Sequence, residues 1–268
     1  MIFSLLFATL SLSSAQAGNI IFQYLPEYGA IRLRAECTIE KETRECAIDT
    51  GAPQTMTAPS VLKEEHEVLG EVKMGSIGMS VICQRLAIPG FNFAGSVRAA
   101  EVLSCPGFFE SLSPTIGMDS FDARRFLFDF SAEDLKWDPI WESPTQPFRR
   151  LRHWLVVPGS LNGRGFEMGF DTGAPVTLVD QKFVDANPDL FTLSTEPPSE
   201  MLIRRNMRAY VVSGPIRVGD VNLEATFVYA GDFSPLKIDF PIILGANHLV
   251  QAAWYFDLKA DRWGIRRY

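Results

Sequence analysis

The sequence has few histidines and cysteines, and it lacks an excess of positive charge. It contains three histidines and four cysteines in 268 residues, and no group of Cys, His or carboxylate side chains has the spacing of a metal site. The net charge of −7 disfavours nucleic acid and anionic membranes as partners, because both attract clustered positive charge. We therefore expect no cofactor and no nucleic-acid partner. His66, His153 and His248 are scattered and predict ordinary surface or core positions, and the basic segment Arg149–Arg152 predicts solvated surface.

After its first residues, the chain lacks an apolar run long enough to cross a membrane. Residues 1–17 combine a short apolar run with the small-x-small ending Ala15-Gln16-Ala17. This pattern favours a cleaved signal peptide over a first strand or an anchor, although no Lys or Arg precedes the run. We expect cleavage near Ala17 and export to the periplasm or the medium. The next segment, Ile20–Leu25, already resembles a strand, which disfavours a long propeptide.

All four cysteines lie in the first half of the chain. An even number in an exported protein predicts two disulfides, with three connectivities open. We favour Cys37 with Cys46 and Cys83 with Cys105. The first pair flanks the polar segment Thr38–Glu45, which would form a hairpin turn and place the two cysteines on neighbouring strands.

Turn-forming residues punctuate the whole chain. The 20 glycines and 17 prolines recur every few residues, while aromatic residues are plentiful. This composition favours many short strands joined by turns over long helices. The predicted fold class is mostly β.

The chain also repeats itself. The segment Asp49–Thr55 (DTGAPQT) recurs as Asp171–Thr177 (DTGAPVT), with six identities in seven positions. Further on, Thr115–Asp119 aligns with Ile243–Asn247 at an offset of 128 residues, so a net insertion falls around Asp185–Pro198. We expect a short helix after the glycine of each later block, over residues 119–125 and 247–252. The duplication predicts a signal peptide at 1–17, lobes at 18–138 and 148–268, and a proline-rich linker at 139–147.

Each repeated motif places an aspartate in a tight turn at the end of a strand. A single Asp-Thr-Gly turn is most often structural. Two copies in duplicated lobes can meet at a pseudo-twofold axis and bring Asp49 and Asp171 together. Two adjacent carboxyls share one proton, because they cannot both ionise easily. Such a pair can activate a water and polarise a carbonyl, which hydrolyses an amide without a metal.

The paired Asp-Thr-Gly-Ala motifs, with the later blocks Ile116–Asp119 and Leu244–Asn247, resemble the aspartic peptidases, and Ala after Gly is similar to the retropepsin-like members. The resemblance implies a barrel-like lobe in each half, the two aspartates at their junction, and a long cleft for a polypeptide. It also implies hydrogen bonds between the two motif threonines across that junction. The supporting turn residues would be Thr50, Gly51, Ala52, Thr172, Gly173 and Ala174.

In such enzymes a hairpin flap covers the substrate. The candidate tip is Gly75, Ser76, Ile77 and Gly78, whose glycines suit a mobile turn. An ordinary hairpin turn explains this composition equally well. The aligned second-lobe segment, Ile203–Met207, lacks glycine.

The sequence thus predicts an exported, monomeric aspartic endopeptidase with an acidic or mildly acidic optimum, acting on extended polypeptides with apolar side chains near the scissile bond. The alternative is a catalytically silent, bilobal peptide-binding protein. Aspartates in both motifs favour the enzyme, because a structural lobe has no need for the carboxylate. Both motifs lie in one chain, so a partner subunit is unnecessary.

Overall fold

The computed structural model describes residues 17–25, 30–76, 79–94, 96–106, 113–121, 124–195, 207–224 and 227–268. These residues form β-strands with two short α-helices, Gln181–Ala186 and Ala246–Leu249. The predicted mostly β class is therefore confirmed. The predicted signal peptide lies outside the described residues except for Ala17, and no helix within the described ranges is long and apolar enough to cross a membrane.

The first half of the chain carries the strands β1 to β10. Their bounds are β1 (Ala17–Leu25), β2 (Ala30–Ile39), β3 (Glu42–Ile48), β4 (Met56–Thr57), β5 (Glu67–Ser76), β6 (Met79–Phe93), β7 (Ser96–Ser104), β8 (Thr115–Ile116), β9 (Arg125–Asp129) and β10 (Asp134–Trp137). Two 3₁₀ helices, Pro59–Val61 and Met118–Ser120, interrupt them.

The second half carries the remaining strands. Their bounds are β11 (Gln146–Pro147), β12 (Arg149–Leu151), β13 (Trp154–Leu161), β14 (Arg164–Phe170), β15 (Leu178–Asp180), β16 (Phe191–Leu193), β17 (Arg208–Val212), β18 (Ile216–Val218), β19 (Val221–Leu223), β20 (Phe227–Gly231), β21 (Ile242–Leu244), β22 (Ala252–Asp257) and β23 (Arg262–Arg267). A third 3₁₀ helix is Ser234–Leu236.

The strand pairings of the first half recur in the second. β2 pairs antiparallel with β3, and β13 with β14. β3 lies parallel to β8, and β14 to β21. The long strand β6, which pairs with β7 and β2, corresponds to β17 and β18, which pair with β20 and β13. The two motif aspartates therefore follow equivalent strands, β3 and β14.

A joining sheet links the halves in the order β11-β23-β22-β9-β10-β1. At its centre β9 and β22 pair antiparallel, from Arg125 opposite Asp257 to Asp129 opposite Ala253. β9 and β22 are equivalent strands of the repeat, 128 residues apart. Their pairing is symmetric about its middle pair, Leu127 and Tyr255.

Buried aromatic rings fill the space beneath this sheet. Phe170, which precedes Asp171, has its ring centroid 4.8 Å from that of Phe256 and 5.2 Å from that of Trp254. Phe126 also stacks on Phe256, at 5.3 Å. The strand that presents Asp171 is thus anchored in a core to which both halves contribute.

Local features match the sequence expectations in part. Both favoured disulfides, Cys37–Cys46 and Cys83–Cys105, are present. The helices after the later glycines are shorter than predicted, a 3₁₀ turn at Met118–Ser120 and one α-turn at Ala246–Leu249, because strands β9 and β22 begin at Arg125 and Ala252.

Candidate active site

The two motif aspartates begin equivalent turns. Asp49 follows β3, and its N–H donates to Ile116 O at 2.9 Å. Asp171 follows β14, and its N–H donates to Leu244 O at 3.0 Å. Each turn is therefore held by a neighbouring strand. β8 holds the turn that follows β3, and β21 holds the turn that follows β14.

The threonines of the two turns bind each other across the junction of the halves. The Thr50 N–H donates to Thr172 Oγ1 at 3.0 Å, and the Thr172 N–H donates to Thr50 Oγ1 at 3.0 Å. Each hydroxyl then donates to a carbonyl of the other half, Thr50 to Phe170 O at 3.2 Å and Thr172 to Ile48 O at 2.9 Å. The expected hydrogen bonds between the motif threonines are present, and both residues are buried.

The glycines bring each turn against the opposite aspartate. A Cβ on Gly51 would lie 2.4 Å from Asp171 Oδ2, and a Cβ on Gly173 would lie 2.1 Å from Asp49 Cγ. Neither position has room for a side chain. The carboxyls of Asp49 and Asp171 lie in direct contact, close enough for a hydrogen bond between them. The structure thus brings the two predicted aspartates together.

The environments of the two carboxyls differ. Asp171 Oδ1 accepts hydrogen bonds from the N–H groups of Gly173 at 2.8 Å, Ala174 at 3.2 Å and Gly51 at 3.2 Å. Burial raises the pKa of Asp171, and these bonds oppose the rise. Burial also raises the pKa of Asp49, and the charge of Asp171 and the bond between the carboxyls raise it further, well above its ordinary value. The pKa is therefore raised at both carboxyls, and more strongly at Asp49.

A second pair of threonines supports the turns from below. Thr55 Oγ1 donates to Asp119 Oδ1 at 2.9 Å and accepts the Gly117 N–H at 3.2 Å. Thr177 Oγ1 donates to Asn247 Oδ1 at 3.2 Å and accepts the Gly245 N–H at 3.0 Å. Sequence reasoning assigned these threonines no role, although both stand seventh in the repeated motif.

The residue that follows Asp119 in the first half and Asn247 in the second differs between the halves. Ser120 Oγ lies 3.0 Å from Thr55 Oγ1, while His248 Nδ1 lies 2.7 Å from Thr177 Oγ1. His248 is fully buried, and burial lowers its pKa to about 4. Sequence reasoning predicted only an ordinary surface or core position for this histidine. The aligned residue of the first half, Ser120, gives no indication that a histidine would contact the threonine here.

The candidate flap lies on a long hairpin. β5 and β6 pair antiparallel as far as Ser76 opposite Met79, so Gly75 and Ser76 lie near the end of the ladder. Ile77 and Gly78 lie outside the described residues, as does most of Ile203–Met207 in the second half. Cα atoms of β5 approach within 8 Å of those of Ser234–Leu236, so the hairpin reaches from one half to the other.

One further side chain touches the first turn. The ring of His153 lies against the backbone of Gly51. Sequence analysis missed this contact, because His153 lies 102 positions after Gly51 and outside both motifs.

Within the described ranges, no group of three or more His, Cys, Asp or Glu side chains is arranged to hold a metal ion. The chain matches no protein-family model and no curated protein.

Proposed function

We propose that this protein is an exported aspartic endopeptidase, which hydrolyses peptide bonds with a water activated by Asp49 and Asp171. The observation that carries the proposal is the crossed contact of the two turns, which places two half-buried carboxyls against each other. The proposal includes a retropepsin-like acid-protease fold, with lobes at 18–138 and 148–268 and a linker at 139–147. The recurring strand pairings support this division.

The two carboxyls take different roles in the proposed reaction. One carboxyl of the pair carries the shared proton and donates a hydrogen bond to the carbonyl oxygen of the substrate. The other is ionised and removes a proton from the water, whose oxygen then bonds to the carbonyl carbon. The C–N bond of the resulting tetrahedral intermediate breaks as this second carboxyl returns its proton to the leaving nitrogen. No covalent bond to the enzyme forms.

The hairpin of β5 and β6 would serve as the flap, with Gly75, Ser76, Ile77 and Gly78 at its tip. It extends from the first half towards Ser234–Leu236 in the second, as a cover over a cleft between the halves requires. A closed flap would exclude water other than the attacking molecule. The substrate would be an extended polypeptide, and the enzyme a monomer.

The two disulfides are compatible with export, since such bonds persist in oxidising compartments. In this proposal the signal peptide is removed near Ala17 and the mature protein acts in the periplasm or the medium.

The test is cleavage of denatured casein by the mature chain from pH 3 to 7. Asp49→Asn and Asp171→Asn are each expected to abolish cleavage, as is a statine-type inhibitor. Asp220→Asn is the matched control, because this carboxylate is exposed and contacts only Arg217 among the described ion pairs. It should retain full activity.

Cleavage that survives either active-site substitution would contradict the proposal. Absence of cleavage from folded protein across the whole pH range would favour the alternative, a catalytically silent protein that binds peptides in the same cleft.

A stability measurement tests the carboxyl pair independently of any substrate. The pKa of each aspartate is raised in the folded state, so folding favours proton uptake and the free energy of unfolding falls as pH rises above the ordinary Asp range. Asp49→Asn should remove this fall and be more stable than the unsubstituted protein at pH 7, by on the order of 1 kcal/mol. Denaturant unfolding of both proteins at pH 4 and pH 7 measures this difference in stability. A difference that is the same at both pH values would exclude a strained pair.

A further inference from the structure

A small pocket lies beside the first catalytic turn, where the two halves meet. Its volume is about 170 Å³. Met118, on its wall, donates its N–H to Ala52 O at 2.9 Å, within the turn that begins at Asp49. The first half contributes Pro53, Met118 and Asp119 to the lining, and the second half contributes Arg150, Arg152 and His153.

The pocket has an excess of positive charge. Arg150 is held in place by Asp261, with Nε 2.8 Å from Oδ1, and its guanidinium lies over the ring of Phe148. Arg152 is exposed and forms no ion pair with a carboxylate of the described residues. Its backbone is left-handed, with φ 59°, in the two-residue turn between β12 and β13. A two-residue hairpin turn requires this conformation at its first residue.

The only carboxylate among the lining residues is Asp119, and it is already engaged. Its Oδ1 accepts hydrogen bonds from the N–H and the hydroxyl of Thr55, both at 2.9 Å. Asp119 therefore neutralises part of the positive charge, but its carboxylate is bound to Thr55, which supports the turn.

His153 provides an unpaired polar atom at this place. Its ring lies against the backbone of Gly51, while Nε2 is buried and has no hydrogen-bond partner among the described residues. A buried nitrogen without a partner is costly. A carboxylate in the pocket would accept from Nε2–H after the ring takes up a proton, and the same ring could still donate to Gly51.

We propose that this pocket binds an acidic side chain of the peptide substrate, so that cleavage is selective for Asp or Glu at one subsite. The inference rests on the proposed function, and it names a substrate class that the apolar preference expected from the sequence does not include. Arg152 supplies the unpaired cation, and His153 couples the bound carboxylate to the turn that holds Asp49. Burial lowers the pKa of His153, so between pH 7 and 5 the charge that selects a carboxylate is that of Arg152, with Arg150 and Asp119 as the other charged groups facing the pocket.

The experiment compares fluorogenic peptides that carry Glu or Gln at one position, moved in turn through four positions on each side of the scissile bond. We expect the Glu peptide to be cleaved with about tenfold higher kcat/KM at one position, as for a charge-assisted contact. Arg152→Gln should bring this Glu-to-Gln ratio close to one. Arg164→Gln, an exposed arginine paired with Asp189, should leave the ratio unchanged.

A second arm measures binding of the same peptides to the full chain carrying Asp49→Asn. Tighter binding of the Glu peptide that is lost with Arg152→Gln supports the pocket even if the unsubstituted protein cleaves nothing, which separates it from the catalytic proposal. Cleavage with equal Glu and Gln rates at every position, a preference that survives Arg152→Gln, or failure to bind either peptide would overturn it.

Discussion

Thr50 and Thr172 connect the two halves through groups that water cannot reach. Each hydroxyl both accepts from the partner's N–H and donates to a carbonyl of the opposite half. A buried backbone group that loses its partner costs about 1–3 kcal/mol, more than the hydrogen bond itself contributes. These two side chains therefore control the spacing of the aspartates that follow the same strands.

Thr172→Val keeps the shape of the side chain and removes both bonds of its hydroxyl. It leaves the Thr50 N–H and Ile48 O unpaired, so we expect a loss of roughly 2–4 kcal/mol in the free energy of unfolding. In the proposed enzyme kcat should fall about 10-fold to 100-fold, because a small shift of the turns misplaces the carboxyls. Denaturant titration and casein cleavage measure the two effects.

Two controls accompany this substitution. Thr172→Ser retains the hydroxyl and should restore most of the stability and activity. Thr192→Val, at an exposed position on β16, should change neither. Unchanged stability of the Thr172→Val protein would mean that the crossed threonines are not what holds the halves in place.

His248 adds a pH dependence at the same scale. Burial lowers its pKa from 6.5 to about 4 in the folded protein. A histidine with a depressed pKa contributes stability that is present above pH 6.5 and is lost as the pH falls towards 4, because the unfolded chain binds the proton more readily. The shift corresponds to about 3 kcal/mol.

His248→Asn should remove this dependence, because the amide can replace Nδ1 beside Thr177 and does not titrate. Relative to the unsubstituted protein, the variant should gain about 3 kcal/mol between pH 7 and pH 4. Unfolding at a series of pH values measures the difference between the two proteins. A difference that does not change with pH would show that His248 is not the titrating group.

Among the elements, the hairpin of β2 and β3 has its turn fixed by a loop of the same half. Glu40 in this turn accepts the N–H groups of Lys63 at 2.7 Å and Glu64 at 3.2 Å, and it pairs with His66. Burial alone would raise the Glu40 pKa, but these three bonds together lower it. The two strands are also joined by the disulfide between Cys37 and Cys46, so the hairpin is restrained at its turn and along its length.

Glu40→Gln should destabilise the protein by about 1–3 kcal/mol at pH 7, because it loses the charge that the three donors stabilise. The sign of the pH dependence follows from the lowered pKa. The stabilisation is present above the ordinary Glu pKa of 4.5 and disappears as the pH falls through the lower, folded value. Thermal unfolding at pH 7 and pH 3 tests this.

Glu45→Gln serves as the matched control. Glu45 is exposed and pairs only with Arg34 among the described ion pairs, at 3.2 Å. Exposed pairs contribute little, so this variant should unfold like the unsubstituted protein at both pH values. An equal loss from both substitutions would refute a specific role for Glu40.

At the scale of the whole molecule, the halves share one aromatic core. Phe256, from β22, packs on Phe126 from the first half and on Phe170, which leads into Asp171. Its ring is fully buried. Neither half can therefore lose its fold without exposing rings of the other, and we expect a single cooperative unfolding transition.

Phe256→Ala should lower the free energy of unfolding by about 3–5 kcal/mol, the cost of a large cavity in a core. Both halves should still unfold together, as seen when Trp fluorescence and circular dichroism give one midpoint. Phe166→Ala removes a ring that is only partly buried at the edge of the core, and it should cost less. Two separate transitions in either variant would contradict a shared core.

The sequence allowed prediction of the β class, the disulfide pairing and the equivalence of the two motifs, because each rests on short-range spacing or repetition. It did not predict contacts between a single side chain and an element that is distant in the sequence. His153 reaches Gly51 through the turn between β12 and β13, and His248 replaces a serine at an otherwise equivalent place. Both depend on tertiary contacts that no local pattern encodes. The helices after Gly117 and Gly245 were predicted too long, since the strands of the joining sheet begin sooner than propensity suggests.

The symmetric register of β9 and β22 has a consequence for the covalent chain itself. The strands that unite the halves are held by their own ladder and by the rings beneath it, whereas the backbone crosses between the halves at the segment around Ile140, whose side chain is 89 % exposed. A protease that cuts at this segment would separate the polypeptide into two pieces that still complete each other's sheet. Each piece would retain one aspartate, and catalysis in the proposed enzyme would depend on their noncovalent association.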